Sequence, residues 1–435
     1  MGTLRTIFRA LGYRNYRLFF MGQGVSLIGT WMQQIAMAWL VYRLTNSPFL
    51  LGIVGFSSQI PAFILSPLAG VMADRWNRHR TLIITQVLSM IQAFVLAILT
   101  FTGAITVWQI IALGVFLGCV NSLDIPTRQS FVVEMVEKKE NLSNAIALNS
   151  LMFNAARLVG PSIAGVLIAL VGEGVCFFIN GVSFLAVIIS LLAMNVRPRE
   201  PGNNNSHVLE ELKEGFKYVV GFMPIRLILL LLGAISLMGT SYVVLMPVFA
   251  RDILKGGPST LGFLMASVGV GALIATLYLA SRKSIIGLGE MIPISSSIFA
   301  SCLVFFSLSR SLWLSMSLMA LAGFGFMTHT AASNTILQTI VDDDKRGRVM
   351  SFYAMAFMGM APLGSLLSGV LAVTIGATNT LIIGGASCIL ASIVFATKLS
   401  VLKKAVHPIY KRIGIIQEVA SGISTVTRLT VPPED

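Results

Sequence analysis

Apolar residues run along this chain in long, nearly unbroken stretches. Twelve of them approach or exceed the roughly 20 mostly apolar residues that a helix needs to cross a bilayer. They fall near 17–43, 48–72, 81–102, 105–123, 143–171, 174–195, 225–250, 258–280, 288–308, 311–332, 348–374 and 378–400. A helix satisfies its own backbone hydrogen bonds, so stretches of this kind predict membrane helices. An even number of spans puts both termini on one side. The pattern is interrupted once, at 196–224. Arg197-Pro198-Arg199-Glu200-Pro201-Gly202 and three asparagines break regular structure there. Leu209, Leu212, Phe216 and Val219 then recur near helical spacing, with Glu210, Glu211, Lys213, Glu214 and Lys217 between them. This predicts a short amphipathic helix lying along the membrane interface. The expected organisation is a six-helix bundle over 1–195, a linker with that helix over 196–224, a second six-helix bundle over 225–400, and a basic tail over 401–435.

Composition sharpens this picture. Of 435 residues, 55% are hydrophobic and only 11% are charged, against about 25% charged in an ordinary soluble domain. So few charges cannot cover the exterior of a soluble protein. A soluble enzyme, a disordered chain and a disulfide scaffold are excluded. The net charge is +13, and its placement is a topology signal. With both termini inside, the inner segments hold 26 Lys and Arg and the outer loops hold four, leaving Arg157 within a span. That asymmetry predicts a multi-pass protein of the cytoplasmic membrane, N- and C-termini in the cytoplasm. Arg5, Arg9, Arg14 and Arg17 precede a first apolar run longer than a signal-peptide core. The first helix is therefore expected to remain as an anchor. The four cysteines form no CxxC pair, and Cys and His are scattered. No metal, cofactor or nucleic acid is expected. There is no HExxH, no nucleophile motif and no GxxxxGK[ST] loop, so neither an enzyme nor ATP-driven transport is expected.

The two halves echo each other. Pro48-x-x-Leu51-Gly52 returns as Pro258-x-x-Leu261-Gly262. Gly160-x-x-x-x-Gly165-Val166-Leu167 returns as Gly364-x-x-x-x-Gly369-Val370-Leu371, and Tyr16-Arg17-Leu18 returns as Ile225-Arg226-Leu227. The near-constant offset in corresponding spans indicates a duplicated six-helix unit, one of the architectures of secondary transporters.

The loop after the second span reads Gly70-Val71-Met72-Ala73-Asp74-Arg75-Trp76-Asn77-Arg78-His79-Arg80. It resembles the signature loop of the major facilitator superfamily, roughly G-x-x-x-D-R-x-G-R-[KR]. Gly70, Asp74, Arg75 and Arg78 match. Asn77 stands where the family has Gly, and Asn can adopt the left-handed turn expected there. An acid at a helix end facing basic residues can tie two helices together. The resemblance implies that this loop latches the cytoplasmic gate. The corresponding loop of the second half, Ser281-Arg282-Lys283, has no acid, so the latch is expected to be asymmetric.

The fifth span reads Asn154-Ala155-Ala156-Arg157-Leu158-Val159-Gly160-Pro161-Ser162-Ile163-Ala164-Gly165. It resembles the G-P-x-x-G motif of superfamily exporters, with the last glycine one position late. Ala156, Gly160 and Ala164 form a small-residue stripe for close helix contact, and Pro161 removes a backbone hydrogen bond. A charge inside a span is costly and faces a cavity or a partner. Arg157, placed a third of the way in from the cytoplasmic end, snorkels to the interface, pairs with a carboxylate such as Asp124, or lines the cavity and meets an anionic substrate. Asn121–Gln129, read as closing the fourth span, and Asp342–Arg348, read as preceding the eleventh, resemble loops of the branch containing the enterobactin exporter, macrolide efflux pumps and a lysophospholipid transporter. A local helix-terminus role is also open to Asp342, Asp343 and Asp344.

No Asp or Glu falls mid-span in this reading, so the coupling group is sought in Asp124 with Arg157, or in His329. Gln23, Gln33, Gln34, Gln59, Asn149, Asn154, Asn180 and Asn334 are the polar residues available to a cavity, with Gln34, Gln59 and Asn154 carried forward. The expected fold is all-α, with twelve membrane helices in two pseudo-symmetric six-helix bundles. The expected function is proton-coupled efflux of an amphipathic small molecule, a siderophore or a drug, by a monomer in the lipid bilayer. Lysophospholipid movement, or a transport-incompetent sensor on the same fold, is the alternative.

Overall fold

The computed structural model describes residues 9–136, 141–195, 208–282 and 284–412, without the side chains of 66–68, 70, 71, 73–75, 143, 208–212, 241, 343 and 344. After a 3-10 turn at Arg9–Gly12 come α1 (Arg14–Thr45), α2 (Pro48–Arg75), α3 (Arg78–Phe101), α4 (Val107–Met135), α5 (Leu142–Val171) and α6 (Glu173–Leu192). The amphipathic α7 (Val208–Gly221) follows. The second bundle comprises α8 (Met223–Ile253), α9 (Pro258–Ser281), α10 (Leu288–Leu308), α11 (Leu312–Ile340), α12 (Asp343–Ala354, continued through Met355–Gly359 and Met360–Ile375) and α13 (Ala377–Thr397). Last is α14 (Leu399–Arg412), whose Leu402 and Val406 are buried against the second bundle.

Eleven helices, α2–α6 and α8–α13, are long and apolar enough to cross a membrane. The twelfth, α1, is 32 residues long but more polar. Its Gln23, Ser26 and Gln33 are buried within the bundle. Gly22 and Gly29 bring it so close to α6 that an added Cβ would lie 2.5 Å from Ser190 Oγ and 2.6 Å from Asn180 Oδ1. The helix ends follow local chemistry. Ser47 caps α2 ahead of Pro48, and Thr106 with Gln109 forms a capping box at α4. Gly172 and Gly376 take φ of +85° and +86° between α5 and α6 and between α12 and α13, equivalent turns that need glycine. Among the described residues, three π-helical turns occur, at Ile235–Gly239, Phe249–Ile253 and Met355–Gly359. All three lie in the second bundle, on α8 and α12.

Two sequence boundaries need correction. The fourth span continues from Val107 to Met135, straight through Pro126, so Asp124 lies inside a helix rather than in a loop. Arg157 lies at the middle of α5, not a third of the way in. Glu173 and Asp252 belong to the first turn of α6 and the last turn of α8.

The bundles meet at two crossings, and the repeated glycine motifs build both. At Gly52 of α2 an added Cβ would lie 2.7 Å from Ser365 O and 2.9 Å from Gly369 Cα of α12. At Gly262 of α9 it would lie 2.6 Å from Pro161 O and 2.8 Å from Gly165 Cα of α5. Each crossing therefore pairs one copy of the Pro-x-x-Leu-Gly motif with the second glycine of the other half's motif. Both lie toward the end of the bundles opposite the termini, here the distal end.

Candidate functional site

Going inward from the distal end, the next approaches are Gly269 against the backbone of Leu158, 2.9 Å from its Cα, and Gly359 against the Phe63 ring. At this mid-depth, where α1, α5, α8 and α9 converge, stands Arg157. Its guanidinium lies over the Trp31 ring of α1, 5.7 Å from the centroid. The buried Tyr242 of α8, in the other bundle, has its hydroxyl within direct interaction range of the same guanidinium. Gly160 makes the approach to α1 possible, since a Cβ there would lie 2.5 Å from Trp31 Cβ. The small residues of α5 thus serve two neighbours, Gly160 facing α1 and Gly165 facing α9. The helix runs unbroken through Pro161.

Asp124 does not pair with Arg157. It is buried in the first bundle, where it accepts hydrogen bonds from Thr85 Oγ1 at 2.9 Å and Gln86 Nε2 at 2.8 Å, with Arg128 at 3.4 Å one turn along α4. A membrane-embedded carboxylate is therefore present, contrary to the sequence reading. Thr127 Oγ1 and Gln86 Oε1 on the same two helices are buried without a hydrogen-bond partner.

Gln34 is exposed one turn beyond Trp31 on α1. Gln59 is exposed on the α2 face that carries Gly55, to whose carbonyl its side chain donates; Gly55 itself faces Ser365 of α12. Asn154 is buried and donates to Ser150 O at 2.9 Å. Gln33 and Asn180, offered as cavity residues, instead bind each other and Gln92 inside the first bundle, at 2.8 and 3.0 Å; Gln23 is likewise buried.

His329 lies fully buried at mid-depth in α11. Neither ring nitrogen has a hydrogen-bond partner, and Thr328 Oγ1 and Ser333 Oγ nearby are also unpartnered. The Ile292 carbonyl of α10 faces the ring without meeting hydrogen-bond geometry.

At the face bearing the termini, Gly70, Asp74 and Arg75 belong to the last turns of α2, and their side chains lie outside the described residues. Arg78 starts α3 and bonds Glu134 of α4 at 2.7 Å. Asn77 is extended, φ −67° and ψ 107°, and caps α3 by accepting from Arg80 N. Its role is an N-cap, not the left-handed turn expected. Asp342 precedes α12 and pairs with Arg412 of α14 at 2.7 Å. Asp343 and Asp344 have no described side chains. Glu214 of α7 pairs with Arg348 of α12 at 2.7 Å, and Lys345 lies 4.8 Å above the Tyr218 ring.

The distal end carries a separate polar set. Arg43 of α1 forms a two-point bond with Glu173 of α6, at 2.8 and 3.1 Å. The Tyr42 hydroxyl donates to Asp252 of α8, and Arg251 donates to Asn46 at 2.7 Å. The last two contacts join the bundles. The sequence singled out none of Trp31, Tyr42, Thr85, Gln86 or Tyr242, and the only available signal was their place in amphipathic or polar positions within apolar spans. Among the described residues no group of three or more His, Cys, Asp or Glu could hold a metal ion.

A transporter assignment rests on similarity as well as architecture. Residues 6–411 match the family model described as "Transmembrane secretion effector". The chain is 29% identical to the staphyloferrin A transporter of Staphylococcus aureus over 87% of its own length and 95% of that protein. It is 23% identical to an enterobactin exporter of Shigella boydii, covering 81% and 84%. A POT family transporter crystallised with a thioalcohol-conjugated peptide superposes at a TM-score of 0.72, with 10% identity, over 89% of this chain and 96% of that one. Two six-helix bundles related by an internal repeat, and a match across nearly the whole chain, make it a transporter and not an enzyme: it belongs to the major facilitator superfamily, in the secretion-effector family.

Proposed function

We propose that this chain is a proton-driven exporter of a siderophore-class small molecule in the cytoplasmic membrane, both termini in the cytoplasm, working by alternating access. The orientation rests on the 26-to-4 distribution of Lys and Arg. With that orientation, the two glycine crossings and the Tyr42–Asp252 and Arg251–Asn46 contacts close the periplasmic or extracellular end. The state is then one that receives cargo from inside. The cargo class follows the siderophore transporters to which the chain is similar.

The observation that carries the reading is the convergence of both bundles on mid-depth beneath a closed distal end, with Arg157 at the junction. Substrate binds there, and the halves rock around it. Asp124 is the group assigned to carry the proton, as a carboxylate buried within a helix of the first bundle. His329 is assigned to packing. The loop of Gly70, Asp74, Arg75 and Arg78 is assigned to holding α2, α3 and α4 together at the cytoplasmic end, in one functional monomer.

The test compares spent medium and cytosol from the native cell with and without this gene, in low and ample iron. A compound that vanishes outside and accumulates inside is expected, more so in low iron. Unchanged medium under both conditions would overturn siderophore export.

A further inference from the structure

Among the described residues, the charge on Arg157 has no counter-charge. Every carboxylate with a described side chain is engaged elsewhere: Asp124 with Arg128, Glu134 with Arg78, Glu173 with Arg43, Asp252 with Tyr42, Glu214 with Arg348, Glu290 with Lys403 and Asp342 with Arg412. Arg157 has instead the face of Trp31 and the hydroxyl of Tyr242, both neutral. It sits at the middle of α5, far from either membrane surface, and its backbone carbonyl abuts Gly269 of α9. The side chain is partly exposed, and its guanidinium lies over the Trp31 ring.

A guanidinium held at this depth is costly unless something compensates it. Aromatic rings recover part of the cost through their negative faces. The rest must come from a group that the protein does not supply. An arginine stays protonated under all relevant conditions, so deprotonation offers no escape. Its planar fork matches a carboxylate or similar oxyanion through two parallel hydrogen bonds. Trp31, partly exposed, offers flat apolar surface beside that fork, and the buried Tyr242 stands behind it from the other bundle.

Resting on the reading of the chain as a transporter with its cargo site between the bundles, we propose that Arg157 recognises the cargo as an anion. The cargo presents a carboxylate or other planar oxyanion to the guanidinium and a flat or aromatic portion to Trp31. Cations are rejected, because a second positive charge would meet an uncompensated one.

The test uses the full-length purified protein in nanodiscs. Fluorescein, an anionic dye, and rhodamine 6G, its cationic relative, are titrated by fluorescence polarisation. Fluorescein is expected to bind, to be displaced by 2-naphthoate and to resist 2-naphthylmethylamine. R157Q should weaken fluorescein by about tenfold or more, and R157K should fall between, having charge without the fork. Rhodamine 6G should not bind the wild type. Failure of the wild type to bind fluorescein, or its displacement equally by the amine, overturns the proposal and needs no variant. Equal fluorescein affinity in wild type and R157Q also overturns it. The comparison of spent media is independent: an Arg157-dependent anion site with unchanged media would leave this inference standing and remove siderophore export.

Discussion

Asp124 and His329 occupy the same position in the two halves. Each is the eighteenth residue of a 29-residue helix, α4 in the first bundle and α11 in the second. Both are buried and both are titratable, yet their surroundings have diverged. Asp124 is bonded by Thr85, Gln86 and Arg128. His329 has no hydrogen-bond partner on either nitrogen, beside two unpartnered hydroxyls. A charged carboxylate can be kept in such a place only by donors and a cation. An imidazole can remain there neutral at the smaller cost of unmet hydrogen bonds. The wider contrast is consistent. Among the described residues the first bundle holds charge within its helices, at Asp124, Arg128 and Arg157, whereas the second holds it near helix ends and carries the π-helical turns instead. The duplicated unit has kept its shape and divided its chemistry: among the described residues, charge sits within the first half's helices and the π-helical turns within the second's.

The symmetric part of the comparison breaks most severely. Gly262→Leu should abolish transport, because a side chain there would have to displace the Pro161 carbonyl 2.6 Å from its Cβ. Gly369→Leu, at the other crossing, should do the same. Loss at one crossing only, measured as transport by equal amounts of membrane-inserted protein, would contradict the symmetry.

The asymmetric part follows. Asp124→Asn keeps the shape and the bonds from Thr85 and Gln86 but removes the charge. Proton-driven transport should fall by about tenfold or more, equivalent to about 1.4 kcal/mol in the coupled step. Downhill exchange of substrate should persist, and equal loss of both would show Asp124 to be structural only.

A smaller effect is expected at the cytoplasmic loop. Asp74→Asn should slow cycling by about threefold without unfolding the protein, since it removes the acid of the loop assigned as the latch. Wild-type rates from a well-expressed variant would remove the latch.

His329 sharpens the contrast with the smallest change. His329→Leu removes a buried polar ring that bonds nothing, so stability should rise by about 1 kcal/mol, read as a higher unfolding midpoint. Transport should be unchanged. A loss of transport would make the second half a partner in proton handling.

Much of the fold was legible because its causes are local. Apolar length and the Pro and Gly punctuation mark the helices, and the repeated glycine motifs mark the duplication. The pairing of those motifs across the bundles was not legible, since Gly52 meets Gly369 only after both halves have folded. Asp124-Ile125-Pro126 reads as the end of a span. The helix instead runs on through Pro126, and α3, about 40 residues earlier in the chain, brings Thr85 and Gln86 to the carboxylate. Arg157 was recognisable as costly, but its neighbours Trp31 and Tyr242 lie in distant helices, and no spacing rule connects them. Gln33 and Asn180 were misplaced for the converse reason. A polar residue in a span satisfies the same pattern whether it faces a cavity or a buried partner.

The account turns on transport powered by a proton gradient. The most direct measurement uses everted membrane vesicles containing this protein and the compound that the gene's deletion removes from the medium. Uptake into vesicles that collapses with a protonophore and needs no ATP once the gradient is imposed is the predicted result. Uptake that resists the protonophore and requires ATP would contradict it.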